Sequence, residues 1–90
     1  MAYRNWNEPA YAKWRKDIRK RDRYKCQWPG CGSKRRLEVH HIKKWSNNPA
    51  LRFSINNGIT LCRGCHQKIK GSEENYEVFL LKILEWNARK

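Results

Sequence analysis

Two stretches decide the fold of this 90-residue chain: LEVHHI, residues 37–42, and NGITLCRGCH, residues 57–66. In the first stretch the apolar residues Leu37 and Val39 alternate with polar ones, which predicts a short strand. In the second, the run Ile-Thr-Leu predicts another short strand, followed by a short helix. The pattern therefore predicts a β-loop-β-α unit at the centre of a small α+β domain.

Helices are predicted on both sides of this unit. The pattern of residues 8–23 predicts a basic N-terminal helix, with Asn7 as its N-cap and Pro9 in the first turn. Residues 72–87 predict a C-terminal helix with an apolar stripe. The single domain thus divides into the two helices and a core of residues 24–71. The stripes of the two helices are Tyr11, Trp14 and Ile18, and Tyr76, Phe79, Leu80, Ile83 and Leu84.

Four cysteines form two closely spaced pairs within the core. Cys26 and Cys31 flank a turn that contains Pro and Gly, and Cys62 and Cys65 are separated by two residues. A tetrahedral zinc ion takes four thiolates at about 2.3 Å, and a tight turn presents two of them. The spacing predicts a structural Zn²⁺, which would stabilise a domain too short to build a large core.

Two other uses of the cysteines compete with zinc. Two disulfides would suit an oxidising compartment, but the N-terminal residues show no signal peptide, which favours a cytoplasmic protein. The order Cys-x-x-Cys-His over residues 62–66 also suits attachment of a c-type haem. A haem would leave the first cysteine pair without a role, and the only methionine is residue 1.

The charge is strongly positive and unevenly distributed. The chain has 21 Lys and Arg against 8 Asp and Glu, a net charge of +13. Residues 1–70 contain 18 of the basic and 4 of the acidic side chains, whereas residues 71–90 contain 3 and 4. Such a field favours a polyanion, and nucleic acid is the expected partner. No membrane association is expected, because no apolar run reaches the roughly 20 residues of a membrane span.

All three histidines lie beside the cysteine framework. The order Glu38-x-His40-His41-Ile42, then Asn57 and the run ending in Cys65-His66, resembles the motif of the HNH endonuclease family, which has the ββα-metal fold. The chain is most similar in outline to the small stand-alone HNH endonucleases of phages and bacteria whose structural zinc is held by four cysteines. This resemblance implies that the cytoplasm in question is that of a bacterium or a phage-infected host cell. The resemblance covers about residues 10–70.

The resemblance implies a role for each polar residue of the motif. His41 would be the general base that activates water, and His40 and His66 would bind the catalytic metal. Asn57 would bond across the loop and hold the strand that carries His41. The neighbouring Asn56 is the alternative counterpart, although the spacing to the cysteine pair favours Asn57. A neutral imidazole suits the proposed base chemistry near pH 7.

The metal and its surroundings carry further expectations. The catalytic ion would be one divalent metal, Mg²⁺, Mn²⁺, Co²⁺, Ni²⁺ or Zn²⁺, separate from the structural zinc, and two imidazole ligands favour activity with the softer ions beside Mg²⁺. Glu38 either bonds to the metal site, pairs with a nearby Arg or points outward. Because adjacent strand residues point to opposite faces, use of both histidines in one site predicts a bend at His40–His41.

The resulting expectation is a metal-dependent endonuclease that acts on double-stranded DNA. It would nick with low sequence specificity, leave 3′-hydroxyl and 5′-phosphate ends, and act as a monomer or weak dimer, with a larger phage or host complex left open. The alternative is a non-catalytic zinc module that only binds nucleic acid. The residues expected to contact phosphate are Lys34, Arg35, Arg36, Lys43, Lys44, Arg63 and Lys68.

Overall fold

The computed structural model describes residues 8–43 and 49–89. The order of elements confirms the predicted α+β class with a ββα centre between two helices. Short 3₁₀ helices occupy part of the loop between the strands and precede the last helix. The bounds are α1 Pro9–Arg21, β1 Leu37–His41, β2 Gly58–Cys62, α2 Arg63–Ile69 and α3 Glu77–Ala88, with 3₁₀ turns at Pro49–Leu51, Ile55–Asn57 and Glu73–Tyr76.

The sheet is a two-stranded antiparallel pair. Its register runs from Leu37 opposite Cys62 to His41 opposite Gly58. Pairing is continuous through both histidines, so the predicted bend within the strand is not found, and the chain bends only after His41, at residues 42–43. The two imidazoles consequently follow the ordinary alternation of a strand and lie on opposite faces of the sheet.

One face of the sheet packs against α1. Tyr11, Trp14 and Ile18 form a buried cluster, and Val39 packs against it. Gly58 lies directly under this helix. A Cβ atom at position 58 would stand 2.6 Å from Cζ2 of Trp14 and would also clash with Ile18. The absence of a side chain at this position therefore allows the helix to approach the end of the sheet where His41 lies.

The opposite face holds the larger core. Ile59 and Leu61 of β2 pack with Ile69 of α2 and with Leu80 and Ile83 of α3. Full burial of one such side chain contributes about 1.5–3 kcal/mol, so these few residues carry much of the hydrophobic stabilisation. The predicted C-terminal stripe is thus core at its centre, whereas Phe79 within it remains 40% exposed.

Helix ends differ in detail from the predictions. α1 ends at Arg21, two residues early, because the backbone is left-handed at Arg23 and Tyr24, with φ of 58° and 56°. Glu8 precedes the first turn of α1, and the predicted cap Asn7 lies outside the described residues. Over residues 8–43 and 49–89, no helix has the length and apolar character needed to cross a membrane.

Candidate functional site

The four cysteines converge at one end of the sheet. Cys26 and Cys31 come from the turn before β1, Cys62 ends β2, and Cys65 lies in the first turn of α2. Their Sγ atoms all lie within 4.8 Å of one another. The Sγ atoms of Cys31 and Cys62 are 3.8 Å apart, which is about the edge of a tetrahedron with zinc–sulfur bonds of about 2.3 Å. The four thiols could therefore bind a metal ion such as zinc.

Local hydrogen bonding and burial divide the thiols by acidity. The backbone N–H of Cys65 donates to Sγ of Cys62 at 3.4 Å, and this bond is the main reason that the pKa of Cys62 falls from 9.0 to about 7. Burial raises the pKa of Cys26 and of Cys65 above the ordinary thiol value. The thiols of Cys26 and Cys65 therefore lose their protons readily only when a cation is close, which is the behaviour expected of cysteines that bind a metal.

A second polar group lies on the sheet face that meets α2. The rings of His40 and His66 have centres 5.0 Å apart at an angle of 60°. Nδ1 of His66 lies 2.7 Å from Oε1 of Glu38, two residues before His40 on the same face. The carboxylate accepts the Nδ1 proton, so the lone pair of the neutral His66 ring is on Nε2. This arrangement, carboxylate to imidazole, is the usual support of a histidine that binds a metal.

His41 lies on the other face, against α1. Its ring stacks on Trp14, with centres 4.0 Å apart and planes inclined by 14°. Nε2 of His41 is 2.9 Å from the carbonyl oxygen of Arg52. Because a carbonyl only accepts, Nε2 carries the proton of the neutral ring and Nδ1 carries its lone pair. The fold thus holds His41, which is 8% exposed, in one orientation and one tautomer.

Asn57 closes the loop between the two strands. Its Oδ1 accepts from the N–H of Lys43 at 2.8 Å, and its Nδ2 donates to the carbonyls of Lys43 and Leu51 at 3.2 and 3.1 Å. Its own carbonyl accepts from the N–H of Ile42 at 3.0 Å. The side chain is buried, whereas that of the neighbouring Asn56 is exposed. Asn57 therefore holds the chain immediately after His41.

The residues expected to contact phosphate fall into separate places. Arg36 and Arg63 lie together at the cysteine end of the sheet, where the N–H of Arg63 donates to the carbonyl of Arg36 at 2.9 Å. Lys43, near the other end, pairs with Glu77 of α3 at 3.2 Å. Lys68 lies over the ring of Trp28, 5.3 Å from its centre. Lys34 and Arg35 precede Arg36 in the chain, and Lys44 lies outside the described residues.

Sequence reasoning did not identify two of the contacts around His41. The helical spacing of Trp14 predicts a core residue and gives no indication that it stacks on an imidazole. Arg52 acts through its backbone carbonyl, which leaves no signal in the residue type. Of the three alternatives that the sequence left for Glu38, the structure shows a hydrogen bond to His66, a predicted metal ligand.

A ββα unit with a thiolate cluster at one end and histidines along its first strand defines a class, the ββα-metal nucleases. The family model for HNH endonuclease matches residues 26–72. The chain belongs to the HNH endonuclease family, as its motifs indicated. Comparison with curated proteins and with solved structures gave no match. Membership in this family of nucleases supports a metal-dependent nuclease activity and a nucleic-acid substrate.

Proposed function

We propose that this protein is a metal-dependent endonuclease that hydrolyses phosphodiester bonds of double-stranded DNA, with His41 as the general base. The observation that carries the proposal is the hydrogen bond between Nε2 of His41 and the carbonyl oxygen of Arg52, which are 2.9 Å apart. This bond requires the proton of the neutral ring to be on Nε2. With its proton on Nε2, the neutral ring offers the Nδ1 lone pair to a water molecule. The family match over residues 26–72 supports the reaction class.

The surroundings of His41 suit a base that must not move. Stacking on Trp14 fixes the plane of the ring, and Asn57 fixes the backbone that follows it. Holding a catalytic group in the reactive orientation removes part of the entropic cost of reaction. In the proposed step, Nδ1 takes a proton from water, the water oxygen attacks phosphorus, and the bond from phosphorus to the 3′ oxygen breaks. The leaving 3′ oxygen takes up a proton from a second water molecule, so the products are a 3′-hydroxyl and a 5′-phosphate.

His40 and His66 are proposed to hold the catalytic cation. They lie on the opposite face of the sheet from the ring of His41, so the proposal requires the scissile phosphate to reach both groups at the end of β1, where the chain bends after His41. Two imidazoles that share one ion, each with a metal–nitrogen bond of about 2.1 Å, place their ring centres on the order of 5 Å apart. The separation of 5.0 Å between the two rings fits this requirement. Glu38 would orient His66 so that Nε2 faces the ion. A bound divalent cation supplies Lewis-acid stabilisation of the phosphate and of the leaving oxygen.

The cysteine cluster is proposed to bind zinc with a structural role. It joins the turn before β1 to the start of α2, and Cys26 and Cys65 are part of the hydrophobic core. Zinc bound there would fix the end of the sheet from which the strand of His40 and His41 starts. A metal that binds only the folded chain contributes its binding free energy to folding, on the order of 10 kcal/mol for such clusters.

The substrate proposal rests on charge. The net charge of +13 favours a polyanion, and contacts to phosphates position a protein without reading the sequence of bases. We therefore expect nicking of duplex DNA with low sequence specificity by a monomer. One ββα unit offers one base, so cleavage of both strands would need two molecules or two encounters.

A plasmid-nicking assay tests the proposal. Wild-type protein with Mn²⁺, Co²⁺, Ni²⁺ or Mg²⁺ is expected to convert supercoiled plasmid to open circles, and His41→Ala and His66→Ala to lose about 100-fold or more in rate. Gln67→Ala is the matched control, because Gln67 is exposed beside His66 on the same helix. Zinc content and circular dichroism establish that each variant is folded.

The outcomes distinguish the candidates. Loss of nicking in both histidine variants with an active Gln67→Ala supports the proposal. If folded wild-type protein binds plasmid but leaves it supercoiled with every metal, the protein is a binding module. If His41→Ala keeps wild-type activity, the assignment of the base is wrong.

A further inference from the structure

The turn that follows α1 is built from residues that are unfavourable for its backbone. The N–H of Tyr24 donates to the carbonyl of Arg19 at 2.9 Å, and that of Arg23 to the carbonyl of Lys20 at 3.0 Å. These two bonds are the Schellman arrangement, in which the residue at the position of Arg23 is left-handed and is usually glycine. Here Arg23 and Tyr24 adopt φ of 58° and 56°, which is unfavourable for residues with a Cβ atom.

This turn borders a cavity of about 380 Å³ between the end of α1, the loop before β2 and the end of α3. Arg21, Arg23 and Lys25 are the cations in its wall, and Asn56 and Asn87 are among its neutral polar residues. The cavity therefore combines positive charge with hydrogen-bond donors, and its wall has one carboxylate, that of Asp22.

The carboxylate of Asp22 is already committed inside the fold. Arg21 donates to it from Nε and Nη2 at 2.8 and 2.9 Å, and the N–H of Thr60 donates to Oδ2 at 2.9 Å. Arg21 also donates to the carbonyls of Gly58 and Ile55, so its guanidinium holds the loop before β2. The charges of Arg21 and Asp22 thus compensate each other, and the two residues form the back wall of the cavity.

Arg23 and Lys25 are the two other cations in the wall of this cavity, and they supply its uncompensated positive charge. Both side chains are exposed, and neither has an ion-pair partner among the residues that the structure describes. Backbone strain of this kind is found preferentially at functional sites. Glycine at position 23 would relieve the strain there, and the arginine instead adds an exposed cation to the wall of the cavity.

We propose that Arg23 and Lys25 form a second phosphate site, which binds the DNA backbone away from the cleaved bond. The proposal rests on the proposed DNA substrate. Trp14, the partner of His41, and Arg21 are seven residues apart on α1, which is about 10 Å at roughly 1.5 Å per residue. The second site, at the residues that follow α1, is thus set apart along the helix from the support of the proposed base.

The site has a different role from the catalytic residues. It would add affinity and set the direction of the duplex across the sheet without touching the reacting atoms. The ligand is the phosphodiester of duplex DNA, and a free phosphate ion is the competing source of the same chemistry.

Binding of a labelled duplex of about 20 base pairs by the zinc-loaded full chain tests the proposal. The background substitution His66→Gln allows binding to be measured by anisotropy without cleavage, so failure of the nuclease proposal would not affect the result. Each lost phosphate contact is expected to lower the slope of log affinity against log salt by about 0.9. Arg23→Gly with Lys25→Gln should therefore lower the slope by about 1.8 and raise Kd on the order of 50-fold at about 0.1 M salt.

A double variant of equal charge change is the control. Lys82→Gln with Arg89→Gln removes two cations from the near-neutral C-terminal segment, one within α3 and one just after it, and should leave the slope unchanged. Arg23→Gly alone should raise the midpoint of thermal unfolding by a few degrees, because it relieves the left-handed strain. Together, weaker binding and higher stability identify Arg23 as a binding residue.

Three results would overturn the proposal. Equal losses in the two double variants would show that only net charge matters. A lower unfolding midpoint for Arg23→Gly would show that the arginine serves the fold. Loss of inorganic phosphate binding in Arg23→Gly/Lys25→Gln with unchanged duplex affinity would identify a site for a free anion.

Discussion

His41 lies flat against Trp14, with ring centres 4.0 Å apart and planes inclined by 14°. Trp14 belongs to α1, outside residues 26–72 that match the family. Its Nε1 donates to the carbonyl of Ser54 at 2.7 Å, so the indole also ties the helix to the loop between the strands. The helix that precedes the family segment therefore forms the support of the proposed base.

Substitution Trp14→Phe is expected to lower both stability and activity. Phenylalanine keeps an aromatic face for His41 but leaves the Ser54 carbonyl without its donor and leaves space in a buried cluster. We expect a loss of about 1–3 kcal/mol in the free energy of unfolding, measured by urea denaturation and far-UV circular dichroism. Nicking should slow roughly 10- to 100-fold, because the base loses its orientation.

The control for this prediction is Trp86→Phe. Trp86 is 67% exposed on α3, so its replacement should change stability by no more than about 0.5 kcal/mol. Equal effects of the two substitutions on nicking would mean that the stack on His41 has no catalytic value.

Asn57→Ala is expected to cost about 3 kcal/mol of stability. It removes three side-chain hydrogen bonds and leaves the N–H of Lys43 and two carbonyls without that partner in a part-buried loop. Chemical denaturation measures the loss, and amide exchange of Lys43 should accelerate. Asn56→Ala, one residue away and exposed, should be nearly neutral. A larger effect at Asn56 would make that residue the counterpart of the motif asparagine.

Glu38→Ala is expected to weaken binding of the proposed catalytic metal about 10- to 100-fold, because His66, its proposed ligand, loses the acceptor that orients it. Glu38→Gln, which keeps a neutral acceptor, should lose less. Titration calorimetry with Mn²⁺, on protein whose cysteine site is filled with zinc, measures the affinity without reference to turnover. The ion pair is partly exposed, so stability should change by less than about 1 kcal/mol.

The comparison variant is Glu85→Gln, because Glu85 also forms an exposed ion pair, with Arg89 at 2.8 Å. It should leave Mn²⁺ affinity unchanged. Wild-type affinity in Glu38→Ala would show that the contact with His66 has no role in metal binding.

Removal of the metal proposed to occupy the cysteine cluster should reveal differences in reactivity among the thiols. In metal-free protein, Cys62 is expected to react with iodoacetamide with a midpoint near pH 7, because its pKa is about 7. Cys26 and Cys65 should react only at higher pH, since burial raises the pKa of each. Mass spectrometry of alkylated peptides measures all three, and added zinc should protect them. Uniform reactivity across pH would contradict this division.

The same shift has a consequence for stability. The pKa of Cys62 in the folded chain is about 7, below its ordinary value of 9.0. Ionisation of Cys62 therefore favours the folded metal-free chain; its contribution is complete above about pH 9 and is lost as the pH falls through about 7. In the metal-bound chain, acid should release the metal, because protons compete for the thiolates. Denaturation followed as a function of pH with and without zinc separates the two effects.

Much of the fold could be predicted because local patterns and tertiary packing agree. Alternation at Leu37 and Val39 predicted β1, and the stripe Tyr11, Trp14 and Ile18 predicted a helix that is buried on one side. The end of α1 was predicted less well, since nothing in the residue types of Arg23 and Tyr24 indicates a left-handed backbone.

The site was predictable where its chemistry depends on residue type. The spacing of the four cysteines indicated a cluster, and the structure brings their sulfur atoms within 4.8 Å. The roles of His40, His41, Asn57 and His66 remain predictions from the motif. Contacts made through the backbone, such as the carbonyl of Arg52 on His41, have no sequence signal, because any residue provides a carbonyl.

The sequence by itself determined the family, the order of elements, the cysteine cluster and the charge, because each depends on residue types and their spacing along the chain. Only the tertiary structure decided which face of the sheet each histidine occupies, and with what partner. Alternation along a regular strand directs His40 to His66 and His41 to Trp14. Packing of α1 over Gly58, and not the motif itself, determines the surroundings of the proposed base.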